Sequence, residues 1–342
     1  MKTWTLTLAS CLVCSSLAQG ESLQSGIDSK GIDASVRAQD NLFLFANGEW
    51  LKYTPIPADK SNYGSFSILE DEAEANIREI IAVAAQSDNP SGSDAQKIGD
   101  FFLSYMDEAT IDRRGVDPLR TELAKIDQLT SREQIIRHFG ALQSLDVTTP
   151  IGFYVDQDDK NSTQYLAAVI QSGTSLPDRD YYLKDDAKYV SAREKFKGYV
   201  TKLFELSDLP DGAGAADAIL ALESRLAEAQ WTRTELRDAD KRYNKLAVDK
   251  LAERIPGIGW RSFFGAAEID QIEDVNLSTP SFFEALEGIV QETPVEVWQQ
   301  YLKFHLLSAY ATGLPKAFVD AQFELYGKEL SGTPELKFRW KR

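Results

Sequence analysis

Residues 67–85 read SILEDEAEANIREIIAVAA, and the apolar positions Leu69, Ala73, Ile77, Ile80, Ile81 and Ala84 return at the three- and four-residue spacing of one helical face. Ser67 followed by Glu70 matches a capping box, so the spacing predicts a helix over 68–85. Its opening acids, Glu70, Asp71, Glu72 and Glu74, fall where carboxylates favour the positive end of the helix dipole. They read as a solvated face rather than a cation cage, because no Gly-Asp pattern of an oxygen-ligand loop flanks them.

The same periodicity extends along most of the chain. It predicts helices over about 94–107, 110–127, 131–144, 187–206, 214–230, 281–292, 294–310 and 316–328, with Thr130 and Glu133 capping the third. The period changes at Pro150-Ile151-Gly152-Phe153-Tyr154-Val155 and again at Tyr165-Leu166-Ala167-Ala168-Val169-Ile170, around a polar Asp158-Asp159-Lys160-Asn161-Ser162 turn. Two strands forming a hairpin fit that change. Upstream, the aromatic run Leu42–Leu51 carries a turn signal at Asn47-Gly48, and Pro55-Ile56-Pro57 forbids helix. No repeat of 20 to 50 residues is present. The fold class is therefore mainly α: a multi-helical domain with a small β-hairpin.

With 342 residues, 43% of them hydrophobic and 26% charged, the chain can bury a substantial core. A formal charge of −16 disfavours attraction to nucleic acid or an anionic membrane. Cys11 and Cys14 both lie in a leader made of Lys2, an apolar run from Trp4 to Val13, and Ser16-Leu17-Ala18. This leader reads as an export signal over 1–18, too short to span a bilayer and ending in the small residues a signal peptidase needs. The competing reading takes Leu8-Ala9-Ser10-Cys11 as a lipoprotein box, with the chain lipid-anchored through Cys11. Residues 19–38 read as a flexible lead-in and 39–342 as one helical domain without a transmembrane span, in a periplasmic or extracellular setting.

Chemistry-bearing patterns are sparse. The two histidines, His138 and His305, stand 167 residues apart, so no HExxH pair exists, and each reads as a core-edge imidazole bonded to backbone. No serine sits in a Gly-x-Ser-x-Gly turn, both thiols lie in the leader, and no phosphate-cradling Gly-rich loop is present. Asp158 and Asp159 read as a turn rather than an acid/base pair. Neither a catalytic residue nor a metal ligand is assigned.

Seven short runs, in order, carry a resemblance. They are Asn47-Gly48-Glu49-Trp50-Leu51; Ile56-Pro57; Tyr63-Gly64-Ser65-Phe66-Ser67-Ile68-Leu69; Asp158-Asp159-Lys160-Asn161-Ser162; Leu176-Pro177-Asp178-Arg179-Asp180-Tyr181-Tyr182; Tyr243-Asn244-Lys245; and Tyr326-Gly327-Lys328 with Leu330-Ser331-Gly332-Thr333-Pro334-Glu335. Together they resemble the N-terminal half of the neprilysin, endothelin-converting enzyme and PepO family of zinc metallopeptidases. The resemblance implies a neprilysin-type N-terminal helical domain that helps enclose a substrate chamber. It places the HExxH helix and the downstream Glu ligand in a C-terminal portion that this chain lacks, so zinc belongs to the full-length family, and the chain is expected to be a truncated or split member, inactive alone.

In the mammalian-type members that the resemblance points to, an arginine just before the Tyr-Gly-x-Phe run binds the substrate's C-terminal carboxylate; here that position is Asn62. An amide cannot supply the charge, so Asn62 points to internal cleavage of oligopeptides instead of C-terminal dipeptide release. The missing cysteine framework of animal members fits a bacterial-type exported version. Partners are then peptides or a separate catalytic half; the alternative function is a non-catalytic peptide-binding or docking module. Trp50, Tyr63, Phe66, Tyr181 and Tyr182 are expected to pack in the core, Gly48 and Gly64 to serve turns, and Arg179 to form an ion pair with its acidic neighbours.

Overall fold

Gly31 and Asp33 tie the segment ahead of Asn41 to the helix that follows it. In the computed structural model, which describes residues 26–342, the Gly31 carbonyl accepts the Glu49 amide at 3.1 Å and the Asp33 amide donates to the Phe45 carbonyl at 2.8 Å. The export segment 1–18, with Cys11 and the lipid-anchor alternative, lies outside the described residues. The chain divides into two units, Met1–Ile56 and Pro57–Arg342.

In the first unit, α1 (Leu42–Tyr53) is capped by Asn41, whose side chain accepts from the Leu44 amide. The turn expected at Asn47-Gly48 is instead inside this helix. Gly48 is there because a Cβ at its position would stand 2.6 Å from the Asp33 Cβ, so only a bare backbone admits the lead-in. Asp33 pairs with Lys52 at 2.9 Å and accepts from the Ser35 hydroxyl at 2.5 Å.

The second unit opens with α2 (Ser65–Gln86), α3 (Asp94–Met106), α4 (Glu108–Arg114), α5 (Arg120–Asp127) and α6 (Arg132–Ala141). Strands β1 (Ile151–Asp158) and β2 (Asn161–Gln171) follow. Then come α7 (Asp180–Leu183), α8 (Ala187–Leu206), α9 (Gly212–Ala229), α10 (Ala239–Arg242), β3 (Lys245–Ala247), α11 (Val248–Arg254), α12 (Trp260–Ala266) and β4 (Asp274–Leu277). The unit closes with α13 (Pro280–Glu292), α14 (Val295–Tyr310) and α15 (Lys316–Gln322), the last running into a π-helical stretch over Phe323–Leu330.

The mainly α class with a β-hairpin is what the structure shows. The hairpin runs in register from Ile151↔Gln171 to Gln157↔Tyr165, with a bulge between Gln157 and Asp158. It belongs to a four-stranded sheet of order β1-β2-β4-β3, in which β4 lies parallel to β2 and antiparallel to β3. Three- and four-residue strands such as β3 and β4 are too short to show a period, which is why the sequence displays only the hairpin.

Other boundaries shift for local reasons. The helix expected over 110–127 breaks at Gly115 (φ 55°), and Pro118 then opens a 3₁₀ turn. Helix α2 begins at Ser65 behind Gly64, and no side chain caps it, so the Ser67/Glu70 box does not form. At α6 the cap is Ser131, which accepts the Gln134 amide, while Gln134 Oε1 accepts the Thr130 amide: the box exists one residue later than expected.

The core gathers α8, α9, α12, α13 and α14. Trp260 stacks on Phe264 at 5.9 Å, and Trp298, Tyr301, Phe304, Leu306 and Leu307 of α14 are fully buried. Each such side chain contributes roughly 1.5–3 kcal/mol by leaving water.

Candidate functional site

Helix α2 buries none of its 22 residues, and α3 buries only Gly99. The two helices pack on each other because a Cβ at Gly99 would stand 2.8 Å from the Ala84 carbonyl oxygen; glycine alone allows that approach. Many of their apolar side chains face out, while Ile68, Ile81 and Phe102 are half-buried. Phe66 is 89% exposed and Phe101 74%, and Leu69, Ile77, Ile80, Val83 and Ile98 are exposed with them. Phe66 is therefore not a core residue, whereas Tyr182 is buried and Trp50, Tyr63 and Tyr181 are half-buried. A groove of about 470 Å³ runs between α2 and α3, walled by Ile77, Ile81, Ile98, Phe101, Phe102 and Trp340. Exposed apolar surface of this kind marks an interaction face.

One edge of this face is built by the segment Glu335–Arg342. Its Glu335 amide donates to the Ala58 carbonyl at 2.9 Å, Arg78 stacks 4.3 Å over the Trp340 ring, and the Arg339 guanidinium both stacks on Tyr105 and donates to its carbonyl. The same segment corrects the reading of the acidic block. Asp71 lies 2.8 Å from Lys60 and 3.6 Å from Lys341, and Glu74 lies 3.8 Å from Lys337 and 3.7 Å from Lys341. With Glu70 3.8 Å from Lys60, three of the four acids are thus paired with lysines of this chain. The hydrogen bond from Lys60, ahead of its charge, holds the Asp71 carboxyl below the ordinary range.

A second constellation lies in the core. Glu223 of α9 is fully buried and accepts from the Tyr182 hydroxyl at 2.5 Å, the Ser175 amide at 2.8 Å and the Ser175 hydroxyl at 2.7 Å. His305 of α14 completes the set, its Nε2 2.9 Å from Glu223 Oε1. His305 is thus bonded to a carboxylate rather than to backbone. Burial, then the Glu223 charge, pushes the Tyr182 hydroxyl well above the ordinary phenol range. Since Ser175 gives its hydrogen to Glu223 and His305 faces that same acid, the set is an anchor and not a nucleophile relay. The signal was present in the sequence: Glu223 falls on the apolar stripe Ile219, Leu222, Leu226.

Asp158 joins two of the quoted runs. Buried at the hairpin tip, it accepts from the Lys160 amide at 2.9 Å, the Tyr243 hydroxyl at 2.8 Å and Lys245 at 3.2 Å. The Lys160 amide, followed by those two side chains, holds its carboxyl below the ordinary range. The turn expectation for Asp158 is thus joined by a tertiary role that spacing could not reveal. Arg179 differs more: its guanidinium donates to the carbonyls of Ala227 and Glu228, closing the last turn of α9, while Asp178 pairs with Arg233 and Asp180 with Lys184.

Asn62 is exposed, with its Nδ2 3.5 Å from the Ser61 hydroxyl. His138 is 8% exposed and its Nε2 has no partner, so it too departs from the backbone-bonded expectation. Among the described residues no group of three or more His, Cys, Asp and Glu side chains is placed to hold a metal ion, and no metal-dependent step is assigned to this chain.

The sequence profile of the N-terminal part of peptidase family M13 matches residues 38–342. The chain belongs to peptidase family M13. Endothelin-converting enzyme-like 1 of Mus musculus is 26% identical over 329 residues, covering 89% of this chain and 41% of that protein. Endothelin-converting enzyme 1 of Bos taurus is 26% identical over 90% of this chain and 42% of its own length. Among solved structures, the zinc metalloprotease Zmp1 of Mycobacterium tuberculosis in complex with an inhibitor superposes with a TM-score of 0.88 at 37% identity, over 94% of this chain and 49% of that one. PepO of Lactobacillus rhamnosis shares the fold at a TM-score of 0.74 and 22% identity. This M13 chain spans about half the length of the relatives it matches, and it corresponds to the N-terminal portion of such a zinc metalloprotease.

Proposed function

We propose that this chain is the substrate-chamber portion of an exported M13 zinc metalloendopeptidase that cleaves oligopeptides internally, and that it has no peptidase activity by itself. The observation that carries this reading is the α2–α3 face. A 22-residue helix that buries none of its side chains, alongside exposed Phe101 and Ile98, fits a surface to be covered by a second, catalytic part. The half-length match to zinc metalloproteases supports it.

Export rests on the leader at 1–18; among the described residues no helix is long and apolar enough to cross a membrane. Internal cleavage rests on Asn62, an exposed amide where a carboxylate-binding guanidinium would be needed for dipeptide release. The purified chain, dialysed against zinc and incubated with an internally quenched oligopeptide, is expected to retain no stoichiometric metal and to cleave nothing. Turnover that a chelator abolishes and zinc restores would overturn the proposal.

A further inference from the structure

A pocket of about 440 Å³ between α5 and α6 is lined by Lys125, Gln128, Gln134, Arg137 and His138, with small apolar side chains between them. No acid lines it, although the chain carries 53 acidic residues against 37 basic ones. Its hydrogen-bond donors are largely unspent. Arg137 and the Gln128 amide have no side-chain partner among the described residues, and Gln134 uses its Oε1 on the Thr130 amide and hydroxyl, leaving its NH₂ free. Lys125 is engaged once, by Glu122 at 2.6 Å, and Asp127 at the end of α5 is paired with Lys303, while Glu133, one turn ahead of Arg137 on α6, does not line the pocket.

His138 supplies the second observation. It lines this pocket while 8% exposed, and its Nε2 is without a partner. The protein itself offers this nitrogen no partner, and the imidazole stands in the wall of the pocket, where its ring senses whatever enters. Burial holds the imidazole below its ordinary range, with Glu122 opposing that shift and Lys125 adding to it.

We propose that this pocket binds a small oxyanion, a carboxylate or phosphate group, gripped by Arg137 and Lys125, with the Gln128 and Gln134 amides donating and His138 forming the inner wall. Guanidinium, ammonium and amide donors lining one pocket from which carboxylates are absent match that chemistry. The proposal is independent of the peptidase reading.

Because the chain has only two histidines, its imidazole NMR spectrum holds two ring systems, assigned with His138→Gln. At fixed pH and ionic strength, the full chain is titrated separately with inorganic phosphate, with N-acetyl-dialanine bearing a free carboxylate, and with its C-terminal amide. A saturable shift of the His138 ring alone is expected with phosphate, with the free carboxylate, or with both. Phosphate alone identifies an inorganic ligand, and the carboxylate identifies a peptide end. Arg137→Ala is expected to weaken binding about tenfold or more, with the fold intact because Arg137 is exposed. Parallel non-saturating drift of both rings, equal binding of the amide, or shifts that persist in Arg137→Ala and Lys125→Ala would each overturn the proposal.

Discussion

The Nε2 of His305 lies 2.9 Å from the Oε1 of Glu223, inside the core. A carboxylate with no exposed surface is tolerable only when its oxygens are fully bonded, and here Tyr182 and both polar groups of Ser175 complete the set. One acid thereby fastens the segment between β2 and α7 to α9 and α14. The Leu176–Tyr182 run is accordingly an architectural element: its Tyr182 hydroxyl takes the Leu176 amide at 2.8 Å and gives its own hydrogen to Glu223.

That arrangement predicts a steep cost for Glu223→Ala. Removing the acceptor leaves the buried Tyr182 hydroxyl and His305 ring without their shared partner and frees the half-buried Ser175 hydroxyl, and stability is expected to fall by about 3 kcal/mol or more, read as a lower urea midpoint. Glu223→Gln keeps one acceptor and is expected to lose less. A Glu223→Ala midpoint equal to that of the parent chain would mean that the hub does not hold the core.

Helices were legible wherever an apolar stripe persisted for three turns: 187–206 and 281–292 appear as Ala187–Leu206 and Pro280–Glu292. Periodicity marks which face is apolar but not whether anything covers it, and α2 exposes this limit, with an apolar stripe along 22 residues and no buried residue. Sites built from distant residues were hidden for a related reason. Asp158 and Tyr243 are 85 positions apart, and the sheet order β1-β2-β4-β3 brings them together. The spacing of His138 and His305 excludes an HExxH pair, but the partners of those rings were not legible, because a histidine's partner is fixed by tertiary packing.

Gly99→Ala is expected to destabilise the α2–α3 pair by about 1–3 kcal/mol, since the added Cβ meets the Ala84 backbone, which cannot rotate away as a side chain would. The effect is local. Amide hydrogen exchange is expected to accelerate over residues 80–105 while α14 keeps its protection. Unchanged exchange across α2 would show that the two helices part and repack without cost.

Asp33 predicts an acid-labile first unit. Its carboxyl is held at about 2, below the ordinary 3.8, first by the Ser35 hydroxyl and then by Lys52 and the Ser35 amide. Because the folded value is the lower one, its stabilising contribution is complete above about pH 4 and is lost as pH falls towards 2. The Asp33 carboxyl carbon is expected to titrate near pH 2 by NMR, and the Glu49 amide to lose protection over the same window. Asp33→Asn is expected to remove that pH dependence, and a midpoint in the ordinary carboxylate range would refute the arrangement.

Phe101→Glu tests what the exposed face is for. Phe101 is 74% exposed, so a charge there removes no core packing, and the unfolding free energy from urea titration is expected to change by no more than about 0.5 kcal/mol. If the groove between α2 and α3 is a surface awaiting cover, the same change is expected to reduce binding of a hydrophobic dye and lower self-association in sedimentation. Ile77→Glu, on the opposite wall of the groove, is expected to behave alike. A large loss of stability in either variant would instead mean that these side chains already pack within the unit, and the face would no longer call for a covering partner.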